Sequence, residues 1–409
     1  MDDEGAARPA TVPSGLRRRV RAVMDAHWRE VEGAGFTVPN ARVYPWQWLW
    51  DSCFHSIIWA ELDDADRALR ELSSLFAHQD DAGFVPHVTH HGDPTFHADF
   101  WGRAGTSSIT QPPMYGHALA ELHRRGIAVP RELVERARAG LEFLLRARRR
   151  DDETGLITVV HPWETGADNS PRWDDVCPGG FDVARWKQVK GDLLATVERN
   201  AGGAPLANPA FAVAPISFNA LVVWNALELA ALGGPPSPGL DEVVRAVEAR
   251  WDEPRATWVD GGATAAGSGR VRTSDALLAT LVDRRPAPLA RAGAELADPA
   301  AFGARFGPTQ VHRGEPTFDP SGYWRGATWP QVNYLHWVAA RHPGREHGRL
   351  LAAEADRIAA STVAGAVTSG LAEYWDPDTG AGFGAVPQSW TGLALAMAAT
   401  ATDRPGAVA

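Results

Sequence analysis

The chain has 409 residues, of which 44% are hydrophobic and 22% are charged, so it can bury a large core and does not have the composition of a disordered protein. Its formal net charge is −10, and it has no Lys/Arg run typical of nucleic-acid binding. It has no apolar stretch of membrane-spanning length, and its acidic N-terminus has no secretory signal. A cytoplasmic protein without a membrane or nucleic-acid partner is expected.

Hydrophobic periodicity predicts helices along most of the chain, with Ser14 as the first candidate N-cap. The predicted helices cover residues 14–32, 51–61, 63–78, 114–126, 130–149, 181–200, 216–232, 239–251, 273–284, 287–297, 328–341, 346–361 and 389–401. Only 84–90 and 155–160 have the pattern of short strands, so a parallel sheet built from βαβ units is not expected.

The number of helices predicts the architecture. About 12 helices in 409 residues leave about 34 residues for each helix with its loop, which suits paired helices in a ring. We therefore predict an all-α fold, a single (α/α)6 barrel or six-hairpin toroid with long active-site loops. Residues 14–409 are expected to form this domain, after a disordered or loosely packed segment at 1–13.

Tryptophan is unusually frequent, with 17 residues against 5 Tyr and 4 Met. A Trp side chain offers a flat apolar face and one N–H donor, which suits the C–H face and hydroxyl rim of a sugar. Most of these residues lie in or near loop segments that mix aromatic, polar, Gly and Pro residues. The segments are 44–51, 161–174, 322–330 and 373–377 with 388–390.

The same loops contain carboxyl groups. Glycoside hydrolysis needs two of them, one as an acid and one as a base or nucleophile, and their separation in sequence is unconstrained. Each loop carboxylate has an alternative role as a helix cap or as the partner of an arginine, so chemistry alone does not choose among them. The candidates are Asp51, Glu164, Asp168, Asp174, Asp175, Glu373 and Asp376.

The four segments resemble those of glycoside hydrolase family 63, in particular its compact bacterial branch of mannosylglycerate and glucosylglycerate hydrolases. The resemblance rests on the strings YPWQWLWDSCFH, ETGADNSPRWD, FDPSGYWRGATWPQVNYL and EYWDPDTGAGFGAVPQSWTG, in this order between residues 40 and 400. It implies an (α/α)6 barrel and an exo-acting, anomer-inverting hydrolase that releases a terminal glucose or mannose from a small α-glycoside.

By this resemblance Asp168 is the general acid and Glu373 the general base. Asp168 then has to be protonated near neutral pH, with Trp163 or Trp173 as a desolvating wall, while Glu373 has to be ionised. Glu164 is interpreted as a structural hydrogen-bond acceptor. The resemblance also implies substrate-binding positions at Tyr44, Trp48, Trp50, Asp51, Gln111, Trp163, Tyr323, Trp324, Trp329 and Gln388.

No cofactor and no metal are expected. The sequence contains neither a phosphate-binding loop nor a dinucleotide fingerprint. Cys53 and Cys177 are expected to be buried small hydrophobic residues. No zinc-ligand spacing is present among the clustered histidines, which are His87, His90, His91 and His97. The sequence makes no prediction of the oligomeric state.

The leaving group is less well defined than the sugar. A glycerate carboxylate calls for a cation at the pocket mouth, but the segment 210–219 is apolar where the family usually carries a charged or hydroxyl-rich loop. An α-glucosidase acting on neutral, trehalose- or kojibiose-like disaccharides is therefore an alternative, and a non-catalytic sugar-binding protein on the same fold is a weaker one. Candidate cations are Arg103, Arg172, Arg185, Lys187 and Arg325.

Overall fold

The structure, a computed structural model, describes residues 15–233, 235–341 and 348–399, so the segment predicted at 1–13 lies outside the described residues. Helices dominate these ranges, as predicted. They are α1 (Leu16–His27), α2 (Leu49–Glu61), α3 (Ala65–Phe76), α4 (Ala98–Trp101), α5 (Tyr115–Arg124), α6 (Arg131–Arg146), α7 (Val183–Leu193), α8 (Ile216–Ala230), α9 (Leu240–Glu248), α10 (Pro286–Ala297), α11 (Pro330–Arg341), α12 (Gly348–Thr368) and α13 (Leu393–Ala399).

The strands of the described ranges are short and pair antiparallel, two by two. The pairs are β1 (Trp28–Val31) with β2 (Ala34–Thr37), β3 (Gln47–Trp48) with β4 (Val88–Thr89), β5 (Glu198–Arg199) with β6 (Pro205–Ala207), β7 (Val213–Ala214) with β10 (Gly261–Gly262), β8 (Trp251–Asp252) with β9 (Thr257–Trp258), and β11 (Tyr374–Trp375) with β12 (Gly382–Phe383). Each pair lies in a connection between helices, so the strands shape loops and do not form a sheet layer.

Several predicted helices end earlier in the structure, and two of them end at least five residues before the predicted position. The helix predicted at 14–32 ends at His27, and the chain then folds back through the β1–β2 hairpin. Its turn holds Glu32 at φ 52° and Gly33 at φ 87°, a left-handed conformation that no helix accommodates. The helix predicted at 181–200 ends at Leu193, and its last residues form β5.

Other local predictions are partly wrong. The segment 273–284 forms a 3₁₀ helix at Asp275–Leu281 instead of an α-helix. Of the strand predicted at 84–90 only Val88–Thr89 pairs, and 155–160 makes isolated bridges alone, such as Val159 to Val213. These segments are held by contacts with distant loops, which local periodicity does not report.

The packing of the helices is cyclic. α2 contacts α5, α5 contacts α8, and α8 contacts the 3₁₀ helix, which contacts α11; α11 contacts α13, and α13 returns to α2. α3, α6, α9, α10 and α12 each pack against one or more of these six elements. Every residue of α2 and nearly every residue of α8 is buried, as expected for helices that are enclosed on all sides.

Two further predictions concern the interior and the membrane. Cys53 and Cys177 are both buried and unpaired, as expected. No helix in the described ranges combines the length and the apolar character that crossing a bilayer requires.

Candidate active site

The loops that lead into α2, α5, α7, α11 and α13 meet around a cavity of about 220 Å³. This volume is below the range of roughly 300–1,000 Å³ that is typical of pockets for drug-sized ligands. The cavity therefore suits one small unit, such as a single sugar ring. It is lined by Pro39, Tyr44, Trp48, Trp50, Asp51, His87, Gln111, Trp163, Gly166, Asp168, Tyr323, Trp324, Glu373, Gln388 and Trp390.

Every site residue predicted from the sequence lines this cavity except Trp329. Trp329 lies behind the wall, where its ring stacks on Trp324 with the centroids 3.7 Å apart and the planes at 4°. Trp324 itself has a φ of 62°, a left-handed conformation that is strained for a bulky side chain. Trp329 therefore supports a lining residue and does not itself line the cavity, and its role in substrate binding stays a prediction.

The sequence analysis missed four lining residues. Trp390 stands two positions after the predicted Gln388, inside one of the quoted strings, so a signal for it was present. A side chain at Gly166 (φ 72°) would clash, because its Cβ would lie 2.4 Å from the Trp50 ring. His87 stacks on Trp163 with the planes at 4°, and burial lowers its pKa well below the usual range. Pro39, the fourth, carries no chemical signal.

Glu373 is a buried carboxyl group at the cavity, before the β11–β12 pair. Tyr44 Oη donates to its Oε1 at 3.0 Å, and the Ala385 N–H donates to its Oε2 at 2.9 Å. Burial raises the pKa of Glu373 to about 7, and the charge of Asp168 adds to this shift, while the two hydrogen bonds oppose it. The group therefore titrates close to neutral pH.

Asp168 lies across the cavity in the loop before α7, and its partners come from that helix. Lys190 Nζ is 2.5 Å from Asp168 Oδ2, and Trp186 Nε1 donates to the Asp168 carbonyl at 2.8 Å. Trp186 and Lys190 are four residues apart, so both face the loop from one side of the helix. The Lys190 ammonium thus forms an ion pair with the Asp168 side chain, a contact that the predicted apolar wall did not include.

Asp51 is the third carboxyl group of the cavity and lies in the first turn of α2. It is 3% exposed, and its Oδ1 has no hydrogen-bond partner among the described residues. Burial raises its pKa well above the usual range, and the charge of Glu373 adds to this effect. The N-cap of α2 is Trp48, so capping does not explain Asp51.

Several polar atoms at the cavity share this lack of a partner within the described part of the chain. Two are donors, Nε1 of Trp48 and Nε1 of Trp324, and two are acceptors, Oδ1 of Asp51 and Oε1 of Gln388. Buried polar atoms are nearly always paired, so such a group marks a place for a bound molecule. Donors and acceptors side by side match hydroxyl groups, which do both.

Glu164 has a different environment, although it is only four residues from Asp168. Arg148 donates to both of its carboxylate oxygens, at 3.0 and 2.5 Å. The N–H groups of Thr110 and Val160 donate to the same two oxygens at 3.1 and 2.8 Å. Both side chains of the ion pair are fully buried. Glu164 is thus the structural acceptor that the sequence analysis expected.

The predicted cations for a carboxylate do not reach the cavity wall. Arg172 is buried against Asp260 and Asp275, and Arg325 makes a double hydrogen bond with Asp174 at 2.9 and 2.7 Å. Arg103, Arg185 and Lys187 lie elsewhere: over Phe84, against the carbonyls of 179–180, and exposed on α7. Lys190, which was not predicted, does not line the cavity either but pairs with Asp168, a lining residue.

A metal site needs several donor side chains at one point. Within the ranges that the structure describes, no three His, Cys, Asp or Glu side chains come together as a possible metal site. The histidines of the 87–97 region instead pack against aromatic rings: His90 lies edge-on to Trp46, and His97 to Phe96.

Comparison with known proteins gives a consistent relationship. Residues 44–391 match the family model described as the mannosylglycerate hydrolase MGH1-like glycoside hydrolase domain. The mannosylglycerate hydrolase of Thermus thermophilus is 31% identical over 90% of this chain and 97% of its own length. The glucosylglycerate hydrolase of Mycolicibacterium hassiacum is 28% identical over 88% of this chain and 93% of its own.

A solved structure extends the likeness to three dimensions. It is the crystal structure of the family 63 mannosylglycerate hydrolase from Thermus thermophilus in complex with Tris and D-glycerate. The two chains are 30% identical, and they superpose with a TM-score of 0.76 over 94% of this chain and all of the other. The family model spans the cavity residues from Tyr44 to Trp390, so the loops that build the cavity belong to one family domain.

Proposed function

Because the chain belongs to the mannosylglycerate hydrolase MGH1-like family and is an O-glycosyl hydrolase, we propose that it releases one terminal α-linked glucose or mannose from a small glycoside with inversion of the anomeric carbon. The observation that carries the proposal is the convergence of two distant carboxyl groups, Asp168 and Glu373, on one small aromatic cavity. A cavity of this volume holds a terminal sugar and not an internal stretch of a polymer.

In the proposed reaction Asp168 donates its proton to the glycosidic oxygen while the bond from that oxygen to the anomeric carbon breaks. A water molecule attacks the anomeric carbon from the opposite side and forms the new C–O bond. Glu373 accepts the proton that this water loses. The products are the free sugar and the alcohol of the leaving group, and the net proton balance is zero.

The charges of the two carboxyl groups influence each other. The charge on Asp168 is one reason that Glu373 holds its proton up to about pH 7. When Asp168 becomes protonated, this contribution vanishes and Glu373 ionises more readily. A proton on Asp168 therefore favours the ionised form of Glu373 that the reaction requires.

The sugar is proposed to lie among the unpartnered polar atoms of the cavity. Asp51 and Gln388 accept hydrogen bonds from hydroxyl groups, and the indole N–H groups of Trp48 and Trp324 donate to them. The Trp163 ring and Tyr323 supply apolar faces. Gln111 is already bonded, since its Oε1 accepts the Trp50 N–H at 3.2 Å, so its free amide group is the part left for the substrate.

Glycerate conjugates of glucose or mannose are the first substrate class, since the relatives are named for them. Neutral disaccharides are the second. The structure favours this alternative in one respect: the apolar segment 210–219 adds no cation, and the arginines near the cavity are committed to Asp or Glu partners.

We also infer that the described helices form one (α/α)6 barrel domain. The support is the cyclic contact of α2, α5, α8, the 3₁₀ helix, α11 and α13, with a second set of helices packed against them. The cavity then lies at the end of the ring where the N-termini of the inner helices gather.

The test is release of free hexose from mannosylglycerate, glucosylglycerate, trehalose and kojibiose, with the first anomer formed followed by proton NMR. We expect the β-anomer from at least one substrate. Appearance of the α-anomer first would show retention and overturn the proposed roles. A folded protein that binds hexose but releases none from any substrate would support the sugar-binding alternative.

A further inference from the structure

Lysine is almost absent from this chain, and one of its two lysines lies at the active site. The other basic side chains apart from histidine are arginines. Lys187 is exposed on α7, whereas Lys190, one turn further, is 7% exposed. Its ammonium contacts Asp168 Oδ2 at 2.5 Å and Asn169 Oδ1 at 2.8 Å, and it lies 5.7 Å from the centroid of the Trp163 ring.

The charges around Asp168 come from several elements. Glu373 approaches it from the loop after α12, and Tyr44 and Tyr323 from the loops before α2 and α11. Burial raises the pKa of both tyrosines, so they stay uncharged in the physiological range. His161 Nε2 lies 2.8 Å from the carbonyl oxygen of Lys190. This imidazole is also neutral in the physiological range, because burial lowers its pKa to about 3. Arg325 contacts the Asn169 carbonyl at 3.3 Å, but its guanidinium is paired with Asp174. Among the described residues, Lys190 is thus the positive charge that contacts the Asp168 carboxyl group itself.

The proposed reaction removes the anionic partner of this lysine. A general acid has to be protonated before it can act, and Asp168 then carries no charge. Lys190 would then lose the carboxylate that it contacts directly, which is unfavourable for a buried ammonium. An anion supplied by the substrate would restore the pairing, and a neutral substrate would not.

Glycerate has the geometry for this exchange. Whichever of its hydroxyl groups carries the sugar, its carboxylate is only one or two carbons from the glycosidic oxygen. The group that protonates this oxygen therefore lies close to the carboxylate as well. Since Lys190 contacts that group, its ammonium is within reach of the carboxylate of a bound glycerate conjugate.

We propose that Lys190 recognises an anionic leaving group by exchanging its ion pair with Asp168 for one with the substrate carboxylate, and that this exchange lets Asp168 take up the proton that it transfers. The inference rests on the proposed role of Asp168 as the acid. The proton comes from solvent, resides on Asp168, and leaves on the hydroxyl group of the released glycerate. Substrate binding and protonation of the acid are thus one coupled event.

The test compares two substrates that differ only in the carboxylate, the glycerate and the glycerol glycoside of the same sugar. For Lys190→Met we expect the ratio of kcat/KM for the glycerate over the glycerol substrate to fall about 10- to 100-fold, the range for a hydrogen bond to a charged group. Lys190→Arg should keep part of the preference. Lys187→Met, the same change on the exposed face of α7, should leave the ratio unchanged.

Other outcomes separate the inference from the proposed function. If Lys190→Met lowers both substrates equally, the lysine only supports the loop and the inference is wrong, whereas the hydrolase function stands. If the wild-type protein releases sugar from neither substrate nor from the other glycosides, the proposed function fails first.

A second measurement covers a Lys190→Met variant that does not fold. Binding of D-glycerate and of glycerol to the wild-type protein is followed by calorimetry in buffers of different ionisation enthalpy. At a pH above about 7, where Glu373 is already ionised, we expect uptake of up to one proton with glycerate and none with glycerol. Binding of glycerate without proton uptake would overturn the coupling.

Discussion

Two carboxyl groups of one loop, Glu164 and Asp168, have different environments: one stabilises the fold and the other faces the cavity. Glu164 has both oxygens filled by Arg148 and by backbone N–H groups, so its charge is balanced inside the protein. Asp168, four residues later, faces the cavity and shares one lysine with Asn169. Both residues are carboxylic acids, but they differ in the hydrogen-bond donors that surround them. A carboxylate whose partners are complete fixes the fold, and one whose partners are incomplete is available to a substrate.

A second buried network extends the structural side of this comparison. Arg172, in the same loop, contacts Asp260, Asp275 and Ser217. Asp260 also accepts the N–H of Ile216 at 2.8 Å, which begins α8. Burial raises the pKa of Asp260 to about 6, and the positive charge of Arg172 opposes the shift. These contacts tie the loop to two inner elements and so fix the place of Asp168.

The largest expected effect is on turnover. Asp168→Asn keeps the shape of the side chain but has no proton of suitable acidity to donate, so we expect kcat to fall at least ~10²-fold. Loss of the ion pair with Lys190 should also lower the melting temperature, but by less than in Glu164→Gln, because this pair is partly exposed whereas the Arg148–Glu164 pair is fully buried. Asp376→Asn is the matched control, since Asp376 Oδ1 only accepts the N–H groups of Asp378 and Thr379. Near-normal turnover of Asp168→Asn would refute the assignment of the acid.

The second prediction concerns Glu164, the carboxyl group with a structural role. Glu164→Gln leaves Arg148 buried without a counter-charge, which we expect to lower the free energy of unfolding by roughly 3–5 kcal/mol. Chemical denaturation measures this loss. Equal stability of Glu164→Gln and Asp168→Asn would contradict the structural role assigned to Glu164.

The third prediction concerns the stability of the Glu373→Gln variant as a function of pH. The Glu373 pKa is raised from 4.5 to about 7, so the unfolded chain releases this proton at a lower pH than the folded protein. The wild type therefore loses stability as the pH rises from 4.5 to 7. We expect Glu373→Gln to be more stable by roughly 3 kcal/mol above pH 7, and the gain to vanish below pH 4.5. A difference independent of pH would contradict this.

The smallest effect is expected at Tyr44, whose hydroxyl group favours the ionised form of Glu373. Since the base has to be ionised, kcat/KM of the wild type should fall as the pH drops through about 7. In Tyr44→Phe this limb should move to higher pH by up to about one unit, because a stabilising hydrogen bond to the carboxylate is lost. An unchanged limb would mean that another group controls it.

Much of the site could be predicted from the sequence because its residues lie in four distinctive strings. All of the predicted lining residues except Trp329 reach the cavity. Trp329 lies outside the lining for a physical reason: the backbone at Trp324 is left-handed, Trp324 lines the cavity, and the Trp329 ring stacks behind it. A sequence motif predicts which segment lies at the cavity, and the backbone conformation decides which of its rings line the cavity.

The sequence by itself determined that the chain is helical, that aromatic loops carry carboxyl groups, and which strings of residues build the pocket. Periodicity and motif chemistry are local, and local patterns survive in the linear chain. The tertiary structure decided which charged side chains form ion pairs. Arg172 meets Asp260 and Asp275 across long stretches of chain, so it is not available for a substrate, and Lys190 meets Asp168. Electrostatic pairing depends on distance in space, and only the folded chain sets that distance.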